Sequence, residues 1–394
     1  MKPLQHKSIG LVLPSVPGYS ETFFRSKIKG LIANGAEVFV FAASQEKTIQ
    51  KLPCRVRYAP KLNGSKVILL ATSFFILSKA FLFNYKVTRR YLELEKKEGT
   101  SRNERLKKLI ANHFILRYDL DWLHFGFGTM ALGRENVAEA IRAKMAVSFR
   151  GFDHYVYPLK NPDCYKKVFA KNVRFHVLSE GMKISLIGKG ISENQIQKIT
   201  PAIDLNRFFG TSKNKTPLQI VTVARLHWIK GLVYTLEALS ILKKEGINFQ
   251  YTIVGDGPER ERLVFAAYQL GLEKNVTFAG KLPPEEVKGH LAKATIYVQY
   301  SIQEGFCNAV LEAQAMGLLC VVSDAEGLSE NILDGQTGWV VPKRSPQLLA
   351  NKLKKVIALD ALQKDEITTK AVNRVKAEFN IEKQTQEFVD FYQL

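Results

Sequence analysis

The sequence predicts an α/β protein made of two doubly wound parallel-sheet domains. Three observations carry this. The chain has 394 residues, too many for one small core and enough for two. In both halves short apolar runs alternate with segments of helical spacing, the pattern of parallel strands joined by crossover helices. Between the halves, ITPAIDLNRFFGTSKNKTP (199–217) has two prolines, a Ser/Thr/Asn/Lys run and no periodicity, as a linker does. The expected domains are 1–203 and 204–377, with a C-terminal helix over about 378–394 packing back on the first.

In chain order, SIGLVLP (8–14) reads as a buried strand and VPGYSETF as a turn. Helical spacing over 25–34 stops at Gly35, and AEVFVFAA (36–43) is the next strand. WLHFGFG (122–128), AVSFRG (146–151) and RFHVLSE (174–180) continue the series. After the linker come LQIVTVAR, a helix over about 232–244, FQYTIVGDGPE, a helix to 270, NVTFAG, a helix to 293 and ATIYVQYS. The run EGFCNAVLEAQAMG (304–317), with a helix starting near Asn308, leads to LLCVVSD, GWVVP and a last helical series.

A composition of 46% hydrophobic and 24% charged residues is that of a globular protein. A net charge of +20 favours anionic partners: nucleic acid, anionic lipid or phosphorylated substrates. No nucleic-acid motif or aromatic-basic platform accompanies it, so nucleic acid is not expected. Cys54, Cys164, Cys307 and Cys320 lie far apart without metal or disulfide spacing, which suits a reducing, cytoplasmic setting. The opening MKPLQHKSIGLVLPS has an apolar run too short for a signal peptide and is expected to be a strand. VILLATSFFILSKAFLF (67–83), followed by a basic stretch, leaves three readings open: an ordinary helical pair, a surface resting on the inner face of an anionic membrane, or a span.

Ligands of such sheets bind where strands end and helices begin. At the first such junction of the second half, VTVARLHWIKG (221–231) carries Arg225 and Lys230, a fork and a point charge suited to a diphosphate, or two solvated loop cations. TIVGDGPERERL (252–263) turns at Gly255 and Gly257 but is no dinucleotide fingerprint, because Arg260 stands where that motif needs glycine. In EGFCNAVLEAQAMG, Glu304 lies outside the helix start and Glu312 about one turn within it. The free N–H groups of Asn308, Ala309 and Val310 form an anion site.

Arg225-x4-Lys230, VGDGPE, Glu304-x7-Glu312 and AEGLSENILDGQTGWVVP (325–342), in this order, resemble the retaining glycosyltransferases of family four. That family has the GT-B architecture, two facing Rossmann-like domains with a cleft between them. LPSVPGYSETF, WLHFGFG and SFRGFD are similar to segments of its exopolysaccharide and colanic-acid-type members. The resemblance implies transfer of a sugar from a UDP- or GDP-sugar to a saccharide acceptor, lipid-linked in cell-surface polysaccharide biosynthesis, with no metal or other cofactor. It implies that Arg225 and Lys230 hold the diphosphate, Glu304 the sugar hydroxyls and Glu312 the ribose. Gly255, Gly305, Phe306, Cys307 and the Asn308, Ala309 and Val310 amides would line the donor site, with Lys281 and Leu282 near the base. From the first domain, Gly18 and Tyr19 would approach the phosphates and His124 the sugar; Glu21, Arg150 and Asp153 would meet the acceptor. Three departures stand out: Gly126 where the family often has a second histidine, Arg150 in place of the HGxD histidine, and PAID (201–204) in place of PNGVD. The rival readings are a nucleotide-sugar epimerase or phosphorylase on the same fold, or a non-catalytic sugar-nucleotide-binding subunit.

Overall fold

The computed structural model describes residues 4, 6–18, 22–44, 52–208 and 217–393. The chain divides into two compact units: Met1–Val177 with Lys183–Ile199 and Thr385–Leu394, and Leu178–Met182 with Thr200–Gln384.

The first unit holds seven parallel strands: β1 (Ser8–Leu13), β2 (Glu37–Ala42), β3 (Arg55–Tyr58), β4 (Trp122–Phe125), β5 (Lys144–Ser148), β6 (Val173–Val177) and β7 (Ile196–Lys198). Their order is β3-β2-β1-β4-β5-β6-β7. The central strands are almost uniformly apolar because helices or loops cover both faces of a parallel sheet. The outermost pair, RVRY and IQK, escaped the sequence reading. Edge strands are short and keep polar residues, so neither carries a long apolar run. The helix Thr22–Ala33 packs Phe24, Ile28 and Leu31 on the sheet, and the helix Ile381–Gln393 adds Phe388, Val389, Phe391 and Tyr392 to the same core. Trp122 Nε1 donates to Tyr392 O at 3.0 Å, which ties this last helix to β4.

Residues 66–116 form three helices, Lys66–Phe83, Tyr85–Lys97 and Arg102–Leu116, rather than a pair. Their polar hub is Glu95, fully buried, which accepts from Lys108 Nζ (2.8 Å), Asn136 Nδ2 (3.0 Å) and Thr100 Oγ1 (3.0 Å).

The second unit has six parallel strands: β8 (Leu218–Val223), β9 (Phe249–Val254), β10 (Val276–Gly280), β11 (Ile296–Gln299), β12 (Leu319–Ser323) and β13 (Trp339–Val341). Their order is β10-β9-β8-β11-β12-β13. In each sheet the order runs 3-2-1 and then reverses to 4-5-6, so the reversal falls between β1 and β4 and between β8 and β11. Loops leave those adjoining strands in opposite directions, which opens a crevice at their carboxyl ends.

Candidate active site

In the second unit the crevice is walled by the loop after β8, which holds Arg225 and Lys230, and the loop after β11, which ends at Cys307. Gly231 lets the two walls touch. Its φ is +60°, and a Cβ there would stand 2.2 Å from Tyr300 O. Ile302 N donates to Ile229 O at 2.7 Å across the same junction. This contact brings Lys230, 74 residues away in sequence, onto Glu304: Nζ donates to Oε2. The two side chains retain 15% and 13% exposure. Burial alone disfavours the ammonium, but the adjacent Glu304 carboxylate outweighs it and raises the Lys230 pKa above its ordinary value.

A buried ladder aims Glu304. Tyr297 OH donates to Gln299 Oε1 (2.8 Å), Gln299 Nε2 to Ser301 Oγ (2.9 Å), and Ser301 Oγ to Glu304 Oε2 (3.3 Å). Tyr297, Gln299 and Ser301 have at most 0% exposure each, and Ser323 Oγ on β12 fixes Ser301 O at 2.5 Å. Sequence reading missed these residues. Their trace was the alternation Tyr297, Gln299, Ser301, which puts three polar groups on one face of a strand and its extension.

Arg225 is exposed and has no side-chain hydrogen bond among the described residues. Its charge opposes those of Lys230 and His227, and burial followed by the Arg225 cation lowers the His227 pKa. Arg225 and Lys230 thus concentrate positive charge at this junction, a field of the kind that attracts polyanions. His227 also escaped the sequence reading.

The helix after the second wall is Asn308–Ala315, starting at the expected residue. Asn331, fully buried, clamps its entrance: Oδ1 accepts from Cys307 N and Nδ2 donates to Cys307 O, both at 3.1 Å. The amides of Val310 and Ala309 face the Cys307 sulfur, and burial pushes that thiol up to about 12, so it stays protonated. Gly305 and Phe306 are buried beside it, and Phe306 packs on Phe379 at 5.7 Å between ring centroids. Glu312 is half-buried, and its carboxylate has no hydrogen-bond partner among the described residues. Loss of water pushes its pKa up to about 7, against the pull of Arg207. Gly255 N donates to Gly280 O at 2.8 Å, which joins the ends of β9 and β10 where Lys281 and Leu282 begin.

The first unit departs from expectation. His124 is fully buried with both ring nitrogens engaged: Nδ1 meets Tyr392 OH (2.5 Å) and Lys27 Nζ (3.3 Å), and Nε2 meets Ser148 Oγ (2.7 Å). No ring nitrogen is left for a sugar, so His124 is a core residue here. Asp153 is likewise corrected. It is 1% exposed and accepts from Thr129 N (3.1 Å) and Thr129 Oγ1 (2.9 Å), so it holds a turn rather than facing an acceptor. Gly126 has a steric reason, since a Cβ would stand 2.4 Å from Leu13 Cδ2 and 2.8 Å from Phe24 Cζ. Arg150 lies over the rings of Phe23 (3.8 Å), Phe24 (4.8 Å) and Phe127 (5.3 Å), and Gly18 lies in the loop after β1. Tyr19 and Glu21 lie outside the described residues.

Two parallel sheets with this strand order, each in its own unit, are the GT-B fold. The chain resembles solved structures over nearly its whole length. They include a glycosyltransferase of Rickettsia africae (TM-score 0.71, 18% identity, 98% of each chain). Another is HepE of Anabaena bound to UDP and glucose (TM-score 0.73, 14% identity, 98% of this chain and 99% of that one). Residues 204–372 match the family described as Glycosyl transferases group 1. The chain thus carries a glycosyltransferase group 1 domain over those residues, the greater part of its second half. It is similar to the Escherichia coli (strain K12) protein WcaL, named for colanic acid biosynthesis, at 28% identity over 94% of this chain and 96% of the relative. It is also similar to the amylovoran biosynthesis glycosyltransferase AmsK of Erwinia amylovora, at 31% identity over 61% of each.

Proposed function

We propose that the chain transfers a sugar from a nucleoside-diphosphate sugar to a saccharide acceptor, lipid-linked, in cell-surface polysaccharide biosynthesis, with retention at the anomeric carbon. The observation that carries this is the part-buried Lys230–Glu304 pair beside exposed Arg225 at the strand-order reversal of a group 1 glycosyltransferase domain.

Departure of a nucleoside diphosphate leaves an oxocarbenium-like sugar and concentrates negative charge on the β-phosphate. Arg225 and two remaining N–H donors of Lys230 meet that charge, already oriented before the bond breaks. Glu304 sets the direction of Lys230 and offers its other oxygen to sugar hydroxyls. Glu312, with a carboxylate unclaimed by the protein, accepts both hydroxyls of the ribose. Retention follows from attack on the face the leaving group vacates, the departing phosphate taking the acceptor proton. This reading assigns the charge compensation to side chains rather than to a metal.

The test is a panel of nucleotide sugars scored for thermal stabilisation and then for slow hydrolysis. One donor is expected to stabilise the wild type and to be hydrolysed, with both effects lost in Lys230→Ala. Wild-type turnover in Lys230→Ala would remove the diphosphate role. Interconversion to a different intact nucleotide sugar, without any acceptor, would favour an epimerase.

A further inference from the structure

The helix Lys66–Phe83 presents an uncovered apolar face. A stripe of Thr72, Ile76, Leu77 and Ala80 leans on the two helices that follow. Ala80 is fully buried, and Thr88 Oγ1 donates to Ala80 O at 2.9 Å. At about 100° per residue, the opposite half of the circumference carries Val67, Leu70, Phe74, Phe75, Phe81 and Leu82. Their exposures are 74%, 70%, 74%, 59%, 44% and 75%. Contiguous apolar surface of this kind on a folded unit marks a contact site.

Charge says what the contact is. From Glu46 to Glu93 the chain has no intervening carboxylate but ten lysines and arginines. Lys61, Lys66, Lys86 and Arg89 among them are exposed beside or just beyond the helix. Lys79, at the rim of the apolar face, places Nζ 4.2 Å from the Phe75 ring centroid, its stem along the apolar surface and its charge at the edge. A second copy docking through this face would bring two strongly positive segments together. A bilayer with acidic headgroups satisfies both the apolar face and its basic surround. The helix also suits lying flat better than crossing. Eighteen residues reach about 27 Å, short of a hydrocarbon core of about 30 Å. Lys66 and Lys79 lie within it, and its other stripe is held by the protein.

We propose that the helix Lys66–Phe83 is an in-plane anchor that docks the first unit on an anionic membrane, apolar side chains at the acyl boundary and lysines among the headgroups. The inference rests on this face and its charge, independently of the donor site. It deepens the reading of a lipid-linked acceptor, because it keeps the enzyme on the surface where such an acceptor is presented.

The test is flotation of the full chain with phosphatidylglycerol-containing vesicles and with pure phosphatidylcholine vesicles, alongside sedimentation velocity without lipid. The wild type is expected to float with the anionic vesicles and to come off in high salt. The triple variant Leu70→Gln/Phe74→Gln/Leu82→Gln changes only exposed side chains and is expected to keep the wild-type melting curve. It should lose about a hundredfold or more in partitioning. Lys66→Glu/Lys86→Glu should lose about tenfold or more on anionic vesicles alone. Thermal stabilisation by the nucleotide-sugar donor should be the same in all three proteins, so failure here and failure of the donor reading are distinguishable. The proposal is overturned if the wild type stays with neither vesicle, or if it binds both alike. It is also overturned if the triple variant floats as the wild type does. Self-association of the wild type that the triple variant abolishes, without vesicle binding, would assign the face to a second copy instead.

Discussion

The two sheets share one strand order, and each builds a buried polar network at or beside its reversal point, yet the networks end differently. In the second unit the ladder Tyr297–Gln299–Ser301–Glu304 ends at Lys230, still charged and next to exposed Arg225. In the first unit the chain Lys27–His124–Ser148–His176 ends at Ile199 O, 3.0 Å from His176 Nε2, and Tyr392 and Phe388 of the last helix close it. Burial, before any neighbouring charge, lowers the pKa of Lys27, His124 and His176 well below ordinary values. Topology thus supplies a crevice in either sheet. What singles out the crevice proposed as the reaction site is a polar network whose last member keeps its charge and lies beside exposed Arg225.

The largest effect that breaks this contrast is Lys230→Ala. It strands Glu304 without its cation and removes the proposed phosphate donor. Denaturant unfolding should show a loss of about 3 kcal/mol, and donor affinity should fall by a hundredfold or more on the order of other buried-pair truncations. Lys230→Met/Glu304→Gln should recover most of the stability and none of the affinity, which separates folding from function. Tyr392→Phe is the matching cut in the first unit. It removes one buried bond to His124 and should cost about 1–3 kcal/mol, with donor affinity unchanged in calorimetry.

Glu312→Gln sharpens the comparison through pH. An acid whose folded pKa is raised favours the folded state when protonated, so stability falls as pH rises from its ordinary value through about 7. The variant should therefore be more stable than the wild type above pH 7, by about 1–2 kcal/mol, and no different at pH 4; thermal melts across this window decide it. Donor binding should have the opposite sign, because the charged carboxylate is the better acceptor for ribose hydroxyls, and should weaken about tenfold in the variant. Arg150→Lys is the smallest change. It keeps the charge, loses the flat stacking over Phe23, and should cost under about 1 kcal/mol in a melt.

The alternation of apolar runs and helical spacing made the central strands legible, since a strand buried on both faces must be apolar along its length. The helix start at Asn308 was legible because Gly305 lies between the strand that ends at Gln299 and the run of small and apolar residues that takes up helical spacing. Partners were not legible. His124 is completed by Tyr392, 268 residues on, and by Ser148 in the next strand, so its spacing could suggest a site but not show that its nitrogens were taken. Lys230 read as a free diphosphate cation, and only the touching of two loops reveals the carboxylate it shares. The run 67–83 read in part as core from its apolarity, which reports what a side chain avoids and not whether the fold covers it.

The most direct test of the account is a calorimetric titration at pH 7.5. The nucleoside diphosphate of the donor selected by the nucleotide-sugar panel is titrated into wild type, Lys230→Ala and Tyr392→Phe. Binding to wild type and Tyr392→Phe with equal affinity, and none to Lys230→Ala, is the predicted result. Binding that survives Lys230→Ala but fails in Tyr392→Phe would place the donor site in the wrong unit and contradict the account.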